Sequence, residues 1–254
     1  MAVNIDSTAK VSPLAELGRN VAIGAFTIVN CDVILGDDTV IDSHCVIGAP
    51  TPFSDAPLRI GNGARIRSHS IFYCGAVIGD ALVTGHNVIV RERSLIGRGV
   101  QIGTNSELQG DLVFGDYTRT QSSVFVPKHC KIGSFVWLLP GVCLTNDPHP
   151  PSDPGDLGVI IEDFAVMSAR STALPGVRIG ARSVVAAQSL VTRDVPPDML
   201  VAGSPARVRG PASDVRRRDN GLPAYPWTTH FTRGYPREIA AHWQVVRSVD
   251  SSSV

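Results

Sequence analysis

Every sixth residue of this chain is hydrophobic over most of its length, and that spacing narrows the possible folds more than any other feature. From Ile5 the series runs through Val11, Leu17, Ile23, Val29, Leu35, Ile41 and Ile47. After a break it resumes at Ile60 and continues through Ile66, Phe72, Ile78, Thr84, Val90, Ile96, Ile102, Leu108, Phe114, Thr120, Val126, Ile132, Leu138 and Leu144, with only two threonines intervening. A third frame holds Ile161, Met167, Ala173, Ile179, Val185 and Val191. A period of six matches neither the helical 3.6 nor a long strand of period 2. It suits short strands joined by tight turns, each strand pointing one side chain inward. Glycine often follows that side chain, as in Ile23-Gly24 and Ile102-Gly103, where it is expected to relieve the turn. An antiparallel sandwich of hairpins needs turn signals at about 8–12-residue spacing and varied strand lengths, and neither is present. Stacked coils remain. Each buried aliphatic contributes roughly 1.5–3 kcal/mol, and no repeat can bury its own face, so stability comes from stacked neighbours.

Near the end of the repeats stands Val191-Thr192-Arg193-Asp194-Val195-Pro196-Pro197, followed by Val201-Ala202-Gly203-Ser204-Pro205-Ala206-Arg207. Together with the period, these segments resemble the closing signature of the hexapeptide-repeat acyltransferases, over about residues 5 to 209. The resemblance implies an all-β fold, a left-handed parallel β-helix of about ten coils with three hexapeptides per coil. That hand opposes the usual right-handed crossover. It further implies a homotrimer, an acyl-CoA donor with acetyl-CoA as the default, and a sugar N- or O-acetyltransferase-like activity on an amino sugar or nucleotide-linked sugar. The expected division is a β-helix domain over 1–209 and an extension over 210–254.

The breaks in the period mark external loops. Seven extra residues separate Ile47 from Ile60, and eleven separate Leu144 from Ile161, giving loops at about 49–59 and 145–158. Such loops often carry function. The second contains Thr145-Asn146-Asp147-Pro148-His149 and resembles the loop after an "F-T-N-D" segment in sugar N-acetyltransferases of the family; the alternative is a proline-stiffened surface loop.

Acyl transfer needs a group to take the nucleophile's proton, and histidine suits neutral pH. Of the seven histidines, His44, His69 and His129 each follow an in-pointing position by three residues, whereas His86 follows Thr84 by two. The segment Thr84-Gly85-His86-Asn87-Val88 is similar to the catalytic histidine segment of the family's lipid A N-acyltransferases. This makes His86 the candidate base, with Asn87 beside the substrate and Ser68 and Thr104 as the expected neighbours one coil away. Rival bases are His149, Asn146 and Asp147, which are also candidate substrate contacts; extended CoA can serve either set, and a trimer interface, with one subunit's loop over its neighbour's groove, is a further way for the two to meet. For the donor, the small residues Ser168, Ala169 and Ala186 leave room for a pantetheine arm, and Arg193 and Arg207 match family positions near the nucleotide phosphates.

Other classes are less well supported. No two histidines are five residues apart, as the zinc-binding carbonic anhydrases of this fold require, and no metal is expected. A non-catalytic scaffold has no need of the closing signature. The 23 basic and 23 acidic residues balance, which argues against nucleic acid as a partner. No apolar run approaches the roughly 20 residues of a membrane span, so no membrane association is expected. The N-terminus lacks a secretory pattern, and the expected location is cytoplasmic. The five cysteines show no C-x-x-C pair and read as free thiols. Beyond Gly210 the period ends, and Pro236 to Val246 is a candidate short helix with Ile239 and Trp243 packed on the solenoid.

Overall fold

The computed structural model describes residues 4–250 apart from 31, 153, 154 and 156. Strands of two or three residues alternate with four-residue corners, and the chain winds as a three-sided solenoid. One face, here A, carries a 12-stranded sheet, the next, B, a 10-stranded sheet, and the third, C, a 9-stranded sheet. The last strand of the A sheet is a returning hairpin strand, so eleven coils begin on that face, close to the ten expected. Strands of successive coils pair in parallel at a spacing of 18 residues: Ile5 with Ile23, Val11 with Val29, Leu17 with Leu35.

The two insertions appear in this register at their expected sizes. Ile41 pairs with Ile66, 25 residues on, and Ile132 with Ile161, 29 residues on. Both extra segments leave from the edge between the B and C faces, the first after Val46–Ala49 and the second after Cys143–Leu144. The first loop lies along that edge. Arg93 donates to the Phe53 carbonyl, and the Lys128 ammonium stands 5.2 Å from the Phe53 ring centroid. Arg93 and Lys128 both pair with Asp111, the latter at 3.6 Å.

The predicted in-pointing residues form the core; Ile47, Phe72, Leu108 and Leu144 have no exposed surface. In the first coil Ile5 is 40% exposed and Val11 and Leu17 are half-buried, because no described coil lies beneath it. A second buried position precedes each in-pointing residue by two: Val21, Cys45, Ala64, Leu82 and Val100 are fully enclosed. Where it is polar, as at Thr27, Ser70, Ser106 and Thr118, the hydroxyl donates to a corner carbonyl at 2.6–3.0 Å. That satisfies a group whose burial otherwise costs free energy. The cysteines Cys45, Cys74, Cys130 and Cys143 are free thiols; Cys31 lies outside the described residues.

The expected role of glycine needs correction. A Cβ on Gly24 would lie 2.7 Å from the Ser43 nitrogen, and one on Gly103 would lie 2.2 Å from the Gln121 carbonyl carbon. These glycines permit close approach of the next coil. The left-handed turn falls two residues later, on Phe26 (φ 58°) and Asn105 (φ 58°), where a side chain is tolerated.

After the last coil, Met199–Gly203 and Ala206–Pro211 form an antiparallel hairpin that ends the A sheet. The following segment lies on the A face. Its Trp227 and Tyr235 pack with Val166 and Val184, and with Phe135, Trp137 and Phe164, in an aromatic cluster separate from the solenoid core. Helix α1 (Arg237–Asp250) replaces the shorter helix expected, and Trp243 packs in this cluster while Ile239 does not. Among the described residues no helix is long and apolar enough to cross a membrane.

Candidate active site on the edge between the A and B faces

His86 stands at the corner joining Val83–Thr84 on the A face to Ile89–Val90 on the B face. Three local features hold it. Thr84 points inward, and its hydroxyl accepts the Arg67 N–H at 2.9 Å. Gly85 lets the next coil come close, since a Cβ there would meet the Thr104 nitrogen at 2.4 Å. Asn87 takes the left-handed conformation (φ 55°), and its amide donates to the Asn105 side-chain oxygen at 3.0 Å. The ring itself is exposed. Its Nδ1 lies 2.9 Å from the Ser68 hydroxyl one coil below, and its main-chain N–H reaches Thr104 Oγ1 at 3.2 Å one coil above. Both expected neighbours are therefore in place. Among the described residues no hydrogen bond engages Nε2.

Ser168 and Ala169, then Ala186, occupy the same edge after Val166–Met167 and Val184–Val185. At ~4.8 Å per coil they lie about 19 and 24 Å above His86. Below His86, the rings of His69, His44 and Phe26 stack along this edge with centroids 5.0 and 5.1 Å apart. Sequence inspection missed this ladder, although His44 and His69 share one position in the hexapeptide. Beside it, a groove of about 440 Å³ runs over the lower A face past Asp6, Asp42, Ser43 and Ser68.

The remaining candidates lie elsewhere. Asn146, Asp147 and His149 are on the loop at the edge between B and C. Asp147 accepts the His149 and Ser152 main-chain N–H groups at 3.0 and 3.1 Å. Together with the Ser152 hydroxyl, these bonds hold its carboxyl below the usual carboxylate range, the serine side chain contributing most. Arg193 is exposed on that same edge near the top, and Arg207 is exposed on the hairpin. Within one chain, then, His86 and the small-residue strip share an edge, and the loop does not join them. Among the described residues no three His, Cys, Asp or Glu side chains are placed to hold a metal.

A model of the family described as bacterial transferase hexapeptide (six repeats) matches residues 15–49. The bifunctional protein GlmU of Thermotoga petrophila is 28% identical over 216 residues, covering 78% of this chain and 45% of that protein. The 2,3,4,5-tetrahydropyridine-2,6-dicarboxylate N-acetyltransferase of Staphylococcus aureus is 42% identical over 84 residues, 33% of this chain and 34% of that one. The chain thus spans less than half the length of either relative. Among solved structures, the Arabidopsis UDP-N-acetylglucosamine acyltransferase superposes with a TM-score of 0.65 at 21% identity, over 82% of this chain and 74% of that chain. The match over residues 15–49 marks hexapeptide repeats in this chain, and the superposition shows that its solenoid has the fold of a left-handed parallel β-helix.

Proposed function

We propose that this protein transfers an acyl group from acyl-CoA to an amino or hydroxyl group of a sugar or nucleotide-linked sugar, with His86 as the base. The observation that carries the proposal is the Ser68–His86 pair on the edge that also bears Ser168, Ala169 and Ala186. In this reading Nδ1–H donates to Ser68 Oγ, which fixes the ring and leaves the Nε2 lone pair outward. The acceptor nitrogen or oxygen attacks the thioester carbonyl carbon while Nε2 takes its proton. The C–S bond then breaks, and the departing thiolate takes that proton back from the imidazolium, giving an amide or ester and free CoA. A placed base of this kind supplies about 10²–10⁴ in rate, with positioning and main-chain N–H stabilisation of the oxyanion supplying more.

The pantetheine arm follows the small residues upward, Arg207 on the hairpin serves the nucleotide phosphates, and Arg193, which lies across the B face in its own chain, reaches them from a neighbour in the trimer. The acceptor enters from below, where Asp6 and Asp42 line the groove beside Ser68 and suit an ammonium or hydroxyl group. Two relatives named as acyl- or acetyltransferases support the reaction class. We also propose a cytoplasmic homotrimer, in which a neighbour's 145–158 loop covers the His86 edge.

The test is thiol release from acetyl-CoA over a panel of amino sugars and nucleotide-linked amino sugars. His86→Ala should lower turnover by roughly a hundredfold or more with CoA affinity retained. Near-normal turnover in that variant would pass the role to Asn146, Asp147 or His149.

A further inference from the structure

A cavity of about 240 Å³ lies between the A face and the C-terminal segment. Trp137, Leu139 and Val166 form its solenoid wall, and Tyr225, Trp227 and Phe231 form the other. Three of the rings stand nearly perpendicular to one another: Trp137 to Trp227 at 75°, Trp137 to Phe231 at 82° and Trp227 to Phe231 at 73°. Such rings present both faces and edges to whatever lies between them. Among the described residues no carboxylate, lysine or arginine lines the space. The one titratable side chain there besides Tyr225 is His230, and its Nε2 is engaged with the Ala224 carbonyl at 2.9 Å.

These observations select the occupant. A charged group would be desolvated without a counter-charge, which is costly. An uncharged hydrocarbon group would exchange water contact for aromatic contact on both walls. At the ~30 Å³ that a water takes up in the liquid, the space holds on the order of eight non-hydrogen atoms. It is smaller than the ~300–1,000 Å³ that encloses a complete ligand, so it suits part of a larger molecule. Leu139 brings the cavity to the edge that bears His86, three coils higher, or about 14 Å along the axis. It thus opens between the base and the small-residue strip.

Resting on the acyl-transfer reading, we infer that this cavity binds an uncharged aliphatic or aromatic group carried by one of the two substrates. The group is either the hydrocarbon part of an acyl donor larger than acetyl or an apolar ring on the acceptor.

The probe for the cavity itself is 1-octanol, which needs no CoA site. Trp137 and Trp227 line the space, so octanol should change the tryptophan emission saturably in the full-length protein. Leu139→Phe, which projects a ring into the space and takes up part of it, should weaken that binding by roughly tenfold, a buried methylene being worth about fourfold. Phe231→Ala, which removes a wall, should weaken it likewise, and far-UV circular dichroism confirms that both variants fold. Octanoyl-CoA is then compared with acetyl-CoA, and benzylamine with glucosamine. Tighter binding of octanoyl-CoA that Leu139→Phe abolishes identifies the donor as the source, and the same pattern for benzylamine identifies the acceptor. Absence of saturable octanol binding to the folded parent overturns the inference, as does octanol binding with no preference in either pair. Octanol binding with no affinity for any CoA thioester would leave the cavity a hydrocarbon site and remove the acyl-transfer reading instead.

Discussion

Thr84 and Thr120 are the two polar side chains in the inward-pointing series of the middle frame, and each has a hydrogen-bonding task. Their hydroxyls accept main-chain N–H groups of the preceding coil, Arg67 at 2.9 Å and Gly103 at 3.1 Å. Thr84→Val keeps the shape and removes the acceptor, so denaturant unfolding should show a loss of about 1–3 kcal/mol. Cys130 and Tyr235 test burial in another way. Desolvation raises the thiol from 9.0 to about 12, and it raises the phenol from 10.0 to about 12 against the opposing pull of Arg119. Both groups are neutral when protonated, so the unfolded chain releases these protons at lower pH than the folded protein. The stability they contribute is complete below pH 9 and is lost as pH rises through 9 and 10 towards 12. Each group falls by up to about 1.4 kcal/mol per pH unit in its window. Unfolding free energies measured from pH 7 to 11 should therefore be level at first and then decline; a level profile throughout would contradict the burial of both groups.

At the scale of elements, the C-terminal segment depends on Arg119. This side chain is 7% exposed, and its guanidinium carbon sits 3.9 Å from the Tyr235 ring centroid and 5.1 Å from that of Trp137. It donates to the carbonyls of Arg233 at 3.3 Å and Gly234 at 2.6 Å. Arg119 Nε, Trp137 Nε1 and the Tyr235 hydroxyl are nevertheless buried without a well-formed hydrogen bond, the last two being neighbours. Unmet donors of this kind weaken docking. Arg119→Ala should release the segment, so limited proteolysis would cut after about residue 212 while circular dichroism still reports the solenoid. Survival of the segment at the parent rate would show that the aromatic contacts suffice.

The difference between segment and solenoid also explains what the sequence could disclose. Period six gave the coil register, both loop positions and the neighbours of His86, because each depends on residues a constant distance apart. The second buried position escaped notice because it alternates among Val, Ala, Leu, Ser, Thr and Cys, which share neither one polarity nor one size. The packing of Trp227 and Tyr235 on Trp137 joins residues about ninety or more positions apart with no repeat to align them. The Phe26, His44 and His69 ladder was missed because an insertion lies between two of its rungs.

Considered as a whole, the molecule distributes its candidate chemistry over two edges of a prism. His86 and the small-residue strip occupy one, the 145–158 loop another, and the B face separates them. If the site is completed between neighbouring chains, two inactive variants can repair each other. Mixing and reassociating His86→Ala with a chain altered at Asn146 and Asp147 should recover roughly a quarter of parental activity, the statistical share of interfaces with both intact contributions in a cyclic assembly. No recovery from demonstrably mixed oligomers would place the whole site on one chain.

Both insertions depart from a single ridge, between the B and C faces. Only along that ridge is polypeptide length uncoupled from the spacing of the coils, and additions there project outward without altering which side chains face inward. A foreign peptide spliced into the first insertion, at residues 50–57, would ride outside the barrel-like stack, once per copy. The ridge is thus a natural mounting point for tags, epitopes or tethers on a scaffold whose interior stays unchanged.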